Sequence, residues 1–592
     1  MTFTTRPELV GTYGMVASTH WLASAAGMRL LEAGGNAFDA AVAAGFTLQV
    51  VEPHLNGPGG EVPILFARGD GDVQVISGQG PAPAAATLER FAALGLDLVP
   101  GTGLLAACVP GAFDAWLRLL AEHGTATLAE VLEPAIFYAE HGFPVVPNIS
   151  AAVAEVAGMF ATDWPTSAAV WLPGGRPPEP GTRFRLPGVA ATYRRILAEA
   201  AAAGPDRDAQ IAAARRAWSQ GFVAEAIADF CANTEVVDTS GRRHGGLLTG
   251  DDLARFTAPV EEPATVEHGA WRVFKTGPWG QGPVFLQQLR LLEGYDLAAM
   301  DPLGPDFVHV VVEAAKLAFA DREAWYGDPA AVDVPLADLL SSGYAAQRRA
   351  LIGDTASLEL RPGSPGGRPP RLASASTVDG VRVAGVGEPT MARRGRVSGD
   401  TCHVSVMDRW GNAVAATPSG GWLQSSPVIP ALGFPLGTRA QMFWLTEGLP
   451  NSLAPGKRPR TTLTPSMAWH ADGTRMAFGT PGGDQQDQWS LTFFARLAHH
   501  GGTLQELVDM PMFHSTHMPS SFYPRDSRPG ELHVEGRLPE ATRAELARRG
   551  HRLVVGGDWS LGRLSAVRHD PSTGLLYAAA NPRGMQGYAV GR

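Results

Sequence analysis

The sequence predicts a mixed helix-and-strand protein with a large buried core. Three observations carry that expectation. The chain has 592 residues, 45% hydrophobic and 18% charged, so it is long and apolar enough to build one large body or two to four smaller ones. Helix-spaced apolar runs alternate with short period-two runs. Gly 70 and Pro 47 collect between those runs, as turns of a compact protein; disorder would require far fewer apolar residues.

The first 60 residues read as helix, turn, helix. Ala23, Ala25, Ala26, Met28, Leu30 and Leu31 keep helical spacing, Gly34-Gly35-Asn36 stops the run, and Ala37 to Val51 is a small-residue helix suited to close packing. A turn-rich segment, Val51 to Gly60, precedes the short strands Ile64–Phe66 and Val73–Ile76. Residues 104–142, 188–203 and 207–230 read as helical, whereas Leu172–Pro187 and Arg361–Arg396 are the least regular, the second as an exposed linker. His403–Asp408 alternates as a strand, turns at Arg409-Trp410-Gly411-Asn412 and returns through Ala413–Ala415 as a hairpin; Ser466–His470 and Arg475–Gly479 form another.

Composition excludes several functions. Lys+Arg 48 against Asp+Glu 58 gives a net charge of -10, with only three lysines (Lys275, Lys316, Lys457) and no basic cluster to meet phosphates, so nucleic acid is not an expected partner. Cys108, Cys231 and Cys402 form no C-x-x-C pair or disulfide framework. The opening residues lack an apolar signal core, and no run of about 18 apolar residues would span a bilayer. A soluble, reduced, cytoplasmic protein without membrane contact is expected. Phosphate-loop, nucleophile-elbow and zinc-helix motifs are missing. A metal on His499-His500 or His514-x-x-His517 would need further ligands and second-shell partners, and surface or packing histidines are the plainer reading, so no metal or organic cofactor is expected.

The chemistry-bearing segment is Ser398-Gly399-Asp400-Thr401-Cys402-His403, a loop running into a strand. A cut between Asp400 and Thr401 would give Thr401 a free α-amine with a pKa of about 7.7–8.0, a base at neutral pH on the same residue as its hydroxyl. The hydroxyl is also placed to attack the preceding carbonyl and make that cut; a plain strand-starting threonine is the alternative. Phe478-Gly479-Thr480-Pro481-Gly482-Gly483-Asp484 ends a strand in a diglycine turn, whose N–H groups either converge on a developing oxyanion or simply turn the chain.

Several blocks, in order and spacing, resemble the γ-glutamyltranspeptidase family: Gly14–His20, Gly34-Gly35-Asn36-Ala37-Phe38-Asp39-Ala40-Ala41, Val51-Glu52-Pro53-His54, Val109-Pro110-Gly111, Leu248–Leu253, Ala318–Arg322, Thr401-Cys402-His403-x-Ser405-Val406-x-Asp408-x-x-Gly411-Asn412-Ala413, Pro455–Pro459 and Pro481-Gly482-Gly483. The resemblance implies an α+β N-terminal-nucleophile hydrolase with a four-layer αββα sandwich. It implies a precursor that cuts itself before Thr401 into associated large and small subunits, 1–400 and 401–592. By the same resemblance Thr401 is the nucleophile, Gly482 and Gly483 supply the oxyanion N–H groups, Ser419 takes the place of a second threonine that orients the nucleophile, and Thr461-Thr462 replaces two serines near the substrate carboxylate.

The departures concern the acyl pocket. An arginine that binds the substrate α-carboxylate in the family is matched by Gln79, an asparagine by Gly421, and a lid-side glutamine and an amine-gripping aspartate by Arg439 and Met442. An ammonium facing methionine loses a partner worth about 1.5–3 kcal/mol. Arg439 is a replacement charge for holding a carboxylate, or a solvated loop arginine. Asp484, Asp487 and the neighbouring glutamines either line the pocket or cap a helix. The expectation is an acyl-threonine hydrolase or transferase passing the acyl group of a γ-glutamyl or related amide to water or an amine. The alternatives are an amidase for acylated β-lactams or dicarboxylic monoamides, and a non-catalytic scaffold.

Overall fold

The structure is a computed structural model and describes residues 3–69, 71–375, 401–585 and 587–592. The expected cleavage residue Asp400 and most of the expected linker, from residue 376 onward, lie outside them.

Small side chains determine how the N-terminal part packs. Asn36 caps the helix Ala37–Val51 in a reciprocal box with Asp39, and every residue of that helix is buried. Its partner Trp21–Glu32 lies directly beforehand, as the spacing predicts. The expected helical stretch 104–142 is instead split into Ala112–His123 and Leu128–His141, because Gly124 ends the first and Thr127 with Glu130 caps the second.

Two seven-stranded antiparallel sheets form the centre. The first runs Tyr588–Gly591, Gly14–Ser18, Val404–Asp408, Ala413–Ala416, Val62–Ala67, Gln74–Gly78, Val260–Glu261. The second runs Leu9–Gly11, Leu575–Ala580, Ser565–Asp570, Arg475–Gly479, Ser466–His470, Trp271–Lys275, Ala264–His268. Both expected hairpins are present, each at the middle of a sheet. In each sheet, strands from before and after Thr401 are hydrogen-bonded neighbours: Val404 pairs with Ser18, and Val273 with Ala468.

Strand alternation sorts the core. Val16, Ile64, Val404, Val406 and Val414 pack with the helices Trp21–Glu32 and Ala37–Val51. Val273, Ala468, Phe478 and Ala566 pack with residues of helices Gly282–Leu292, Pro305–Trp325 and Gln486–His500. The opposite faces of both sheets meet one another through Met15, Leu65, Met407 and Ala415 against Phe274, Met467, Ala477 and Val567. Among the described residues no helix is long and apolar enough to cross a membrane, and the three cysteines are buried free thiols.

Candidate active site

Thr401 is fully buried where the described chain resumes, three residues before the strand Val404–Asp408. The backbone there is zipped to the far strand of the hairpin: Thr401 bridges Ser419, and Cys402 N–H donates to Pro418 O at 2.9 Å. Ser419 and Glu61 in turn exchange backbone bonds of 2.9 and 3.0 Å. Three segments distant in sequence therefore lie side by side.

Their side chains form a chain of hydrogen bonds. Thr401 Oγ1 donates to Ser419 Oγ at 3.3 Å, Arg439 Nη2 donates to the same oxygen at 2.6 Å, and Arg439 Nε donates to the Glu61 carboxylate. Burial pushes the Glu61 carboxyl up, opposed by the Arg439 charge. Arg439 is 1% exposed, so it is no solvated loop arginine, and its guanidinium is engaged by protein groups. Sequence reasoning missed Glu61; its one signal was its position directly after Gly59-Gly60 in the turn-rich segment.

The neighbours of Thr401 explain why the threonine, and not the adjacent thiol, is the reactive candidate. Glu52, capping the helix Ala37–Val51, accepts from Thr19 Oγ1 at 2.6 Å and from Cys402 Sγ at 2.9 Å. Burial, with Glu52 beside it, raises the Cys402 thiol well above its ordinary range, so it stays protonated and unreactive. Burial lowers His403 to about 3, leaving a neutral imidazole between Thr417 Oγ1 at 3.1 Å and Ser405 Oγ at 2.8 Å.

The diglycine turn adjoins this strand. The His403 ring occupies the space that a Cβ on Gly479 would need, 2.4 Å from its Cε1. Three residues on, Gly482 has φ +129° and a Cβ there would stand 2.3 Å from Trp489, so only glycine makes this turn. Gln281 Nε2 donates to Gly483 O at 3.2 Å.

The remaining expected site residues divide. Thr461 N–H donates to Trp279 O at 2.9 Å, which fixes the segment, while the buried Thr462 hydroxyl has no partner among the described residues. Gln79 is buried, with Nε2 on Gly80 O at 3.0 Å and Oε1 unpartnered among those residues. Asp484 is engaged on both oxygens, by Arg322 and by Ser521 N–H and O–H at 2.8 and 2.7 Å. Burial would raise its carboxyl, but Arg322 and the Ser521 donors outweigh that and hold it below the usual range. Asp487 makes a buried ion pair with Lys275 at 2.9 Å in the first turn of Gln486–His500. Neither aspartate caps the helix through a side-chain bond.

Met442 joins Trp422 and Phe522 in a buried apolar cluster, and the Arg439 guanidinium lies 5.1 Å from the Trp422 ring centroid and 5.6 Å from that of Phe522. The close histidine pairs of the sequence meet other histidines: His499 Nε2 is 2.9 Å from His268 Nε2, and His514 stacks on His533. Among the described residues one further group, His309, Glu313 and His551, brings ligand-type atoms within 4.8 Å of one another. His309 Nδ1 and His551 Nε2 are hydrogen-bonded at 2.9 Å, and Glu313 accepts from Lys316 at 2.6 Å and from Arg361 at 3.2 Å. These bonds tie the helix Pro305–Trp325 to His551, whose Nδ1 has no partner among the described residues.

Residues 23–591 match the family model described as Gamma-glutamyltranspeptidase. The chain is 34% identical to the acylase ACY 1 proenzyme of Pseudomonas sp. (strain SE83), covering 96% of this chain and 92% of that protein. It is 31% identical to the glutathione hydrolase-like YwrD proenzyme of Bacillus subtilis (strain 168), covering 99% of each. Identity to the oxamate amidohydrolase proenzyme of Klebsiella pneumoniae subsp. pneumoniae is 32%, over 98% of this chain and 99% of that one. Among solved structures, LmbA2991HD is similar at 58% identity and TM-score 0.94 over 100% of both chains. The cephalosporin acylase of Bacillus halodurans is similar at 29% and 0.83, over 100% and 97%. Matched by that family model over residues 23–591 and by relatives of 31–34% identity along nearly its whole length, the chain belongs to the gamma-glutamyltranspeptidase family.

Proposed function

We propose that the protein is a self-cutting N-terminal-nucleophile amide hydrolase whose acyl group is not an α-amino acid. The observation that carries the chemistry is the Thr401 hydroxyl held on Ser419 at 3.3 Å, with Arg439 and Glu61 behind it. Cleavage before Thr401 yields subunits 1–400 and 401–592, which remain interlocked through the mixed pairings of both sheets. We read the two facing sheets with outer helices as the four-layer αββα sandwich of such hydrolases. The names of the relatives, three of them proenzymes, favour the same precursor logic.

In the cycle, Thr401 Oγ attacks the amide carbonyl and its new α-amine takes the proton and returns it to the leaving amine. Gly482 and Gly483 N–H groups hold the oxyanion, and Ser419 orients the nucleophile. Water then hydrolyses the acyl-threonine ester; an amine competes only where it binds. The residues need no metal or organic cofactor for these steps. Three buried reduced thiols suit a cytoplasmic setting.

The acyl preference is inferred from Met442, which stands where the family has an amine-gripping aspartate. Met442, with Trp422 and Phe522, offers a substrate ammonium no counter-charge. The acylase and oxamate amidohydrolase names among the relatives favour the same departure, while the glutathione hydrolase-like name keeps γ-glutamyl amides as the second reading. The test compares anilides of γ-glutamate, glutarate and oxalate on the mature enzyme. Higher kcat/KM for glutaryl or oxalyl than for γ-glutamyl, by about tenfold or more, is expected from the missing ammonium partner. Preference for γ-glutamyl would overturn the acyl assignment.

A further inference from the structure

The segment Ser520–Arg528 carries an arginine that the motifs did not mark. Arg525 is 1% exposed and has φ +71°, the one non-glycine residue with positive φ among the described residues. An L-residue in that region costs about 1–2 kcal/mol and persists where its surroundings fix it. Its N–H donates to Phe522 O at 2.7 Å. Its guanidinium lies over the Trp444 ring, 4.2 Å from the centroid. Nη2 donates to Gln441 O at 3.2 Å and to Phe443 O at 2.9 Å, so it straddles Met442. Nε and Nη1 have no partner among the described residues.

The charges around it do not balance. Three guanidiniums, Arg322, Arg460 and Arg525, share two carboxylates, Glu323 and Asp484. Glu323 pairs with Arg322 at 2.8 Å and with Arg460 at 2.7 Å, and Asp484 pairs with Arg322. Arg525 makes no ion pair of its own within the described residues. Burial, with Arg460 nearby, lowers its pKa to about 9, the expected response of a cation without a counter-ion. A buried cation with two unpartnered N–H groups on a rigid fork is an unstable arrangement until an anion completes it.

The position ties this surplus charge to the acyl pocket. Phe522, three residues earlier, is in the Trp422–Met442 cluster; Asp484, the next residue after Gly483, bonds Ser521. We propose that Arg525 binds a carboxylate on the acyl group of the substrate, so that the preferred substrates are half-amides of dicarboxylic acids. This rests on the amide-hydrolase reading, in which Gln79 does not offer the positive charge of the family arginine. The unpartnered N–H groups on Nε and Nη1 are the donors left for the carboxylate, and Trp444 is the floor.

Two measurements test it separately from that reading. In the first, glutarate is titrated calorimetrically into full-length Thr401→Ala protein, alone and combined with Arg525→Met or Arg525→Lys. Glutarate binding that Arg525→Met weakens by about 10- to 100-fold, and that Arg525→Lys weakens less, is expected for a charge-assisted pair. In the second, the mature enzyme hydrolyses glutaryl and butyryl anilides, and the glutaryl-over-butyryl ratio of kcat/KM falls by a similar factor in Arg525→Met, chiefly through KM. Equal losses on both anilides, unchanged glutarate binding in folded Arg525→Met, or chloride binding as well as glutarate would overturn the assignment. Arg525→Lys, which retains the buried charge, carries the comparison if Arg525→Met does not fold. Arg525-dependent glutarate binding in a protein that hydrolyses neither anilide would support the anion site while sinking the hydrolase reading.

Discussion

Arg439 holds Ser419 through an Nη2–H bond of 2.6 Å to the same oxygen that accepts from Thr401. Arginine has no acceptor, so the direction of that bond is fixed and the serine oxygen is locked as acceptor. Ser419 is thereby the junction between Thr401 and the buried Arg439–Glu61 pair.

That relationship predicts non-additive kinetics. Ser419→Ala and Arg439→Met should each lower kcat by about tenfold or more, the worth of a hydrogen bond to a charged group. The double variant should be no slower than the worse single one, because Arg439 acts through Ser419. Additive losses, or a change confined to KM for anionic substrates, would return Arg439 to the role of a substrate-carboxylate binder. Since Arg439→Met strands Glu61 in the core, the series should be repeated on Glu61→Gln.

The diglycine turn predicts a steep local penalty. Gly482→Ala sets a Cβ 2.3 Å from Trp489 at φ +129°, so the turn must move and carry its N–H groups with it. Loss of about 10²–10³ in kcat is expected, the value of a displaced oxyanion donor. Near-normal kcat in this variant would remove the turn from the chemistry.

Acid should destabilise the protein through its buried histidines. Burial lowers His20, His54 and His403 from 6.5 to about 3, so the folded state keeps them neutral where the unfolded chain protonates them. Their contribution is complete above 6.5 and is lost as pH falls from there toward about 3. Thermal melts across that window should show Tm falling with pH, and less steeply in His54→Leu, whose ring nitrogens have no partner among the described residues. A flat Tm would contradict the neutral assignment.

Lys275 and Asp487 form a fully buried pair that joins the strand Trp271–Lys275 to the helix Gln486–His500. Burial raises Asp487 to about 6 and lowers Lys275, each opposed by the other's charge. Lys275→Met or Asp487→Asn alone should cost about 3–5 kcal/mol, because one charge is left uncompensated. The double variant should recover much of that in denaturant melts; a double loss equal to the sum would show that the pair adds nothing.

Local signals made much of this legible. Asn36 and Asp39, the alternation of His403–Asp408 and the Ala471-Asp472-Gly473 turn state their helix, strand and hairpin outright, and the motif blocks named the family. Glu61, Trp422, Phe522 and Arg525 were not legible, since their roles arise from pairings between segments distant in sequence, 84 residues apart for Arg525 with Gln441 and 378 for Arg439 with Glu61. Asp484 was legible as a polar residue beside the turn but not as the partner of Arg322, which the helix Pro305–Trp325 delivers from the other part of the chain.

The central claim is that Thr401 becomes an N-terminus. Intact-mass measurement with N-terminal sequencing of catalytically active protein tests it most directly. Fragments of 400 and 192 residues, the smaller beginning Thr-Cys-His, are predicted from wild type, with a single 62.4 kDa chain from Thr401→Ala. Active wild type that remains one uncut chain, or Thr401→Ala that still divides at this bond, would contradict it.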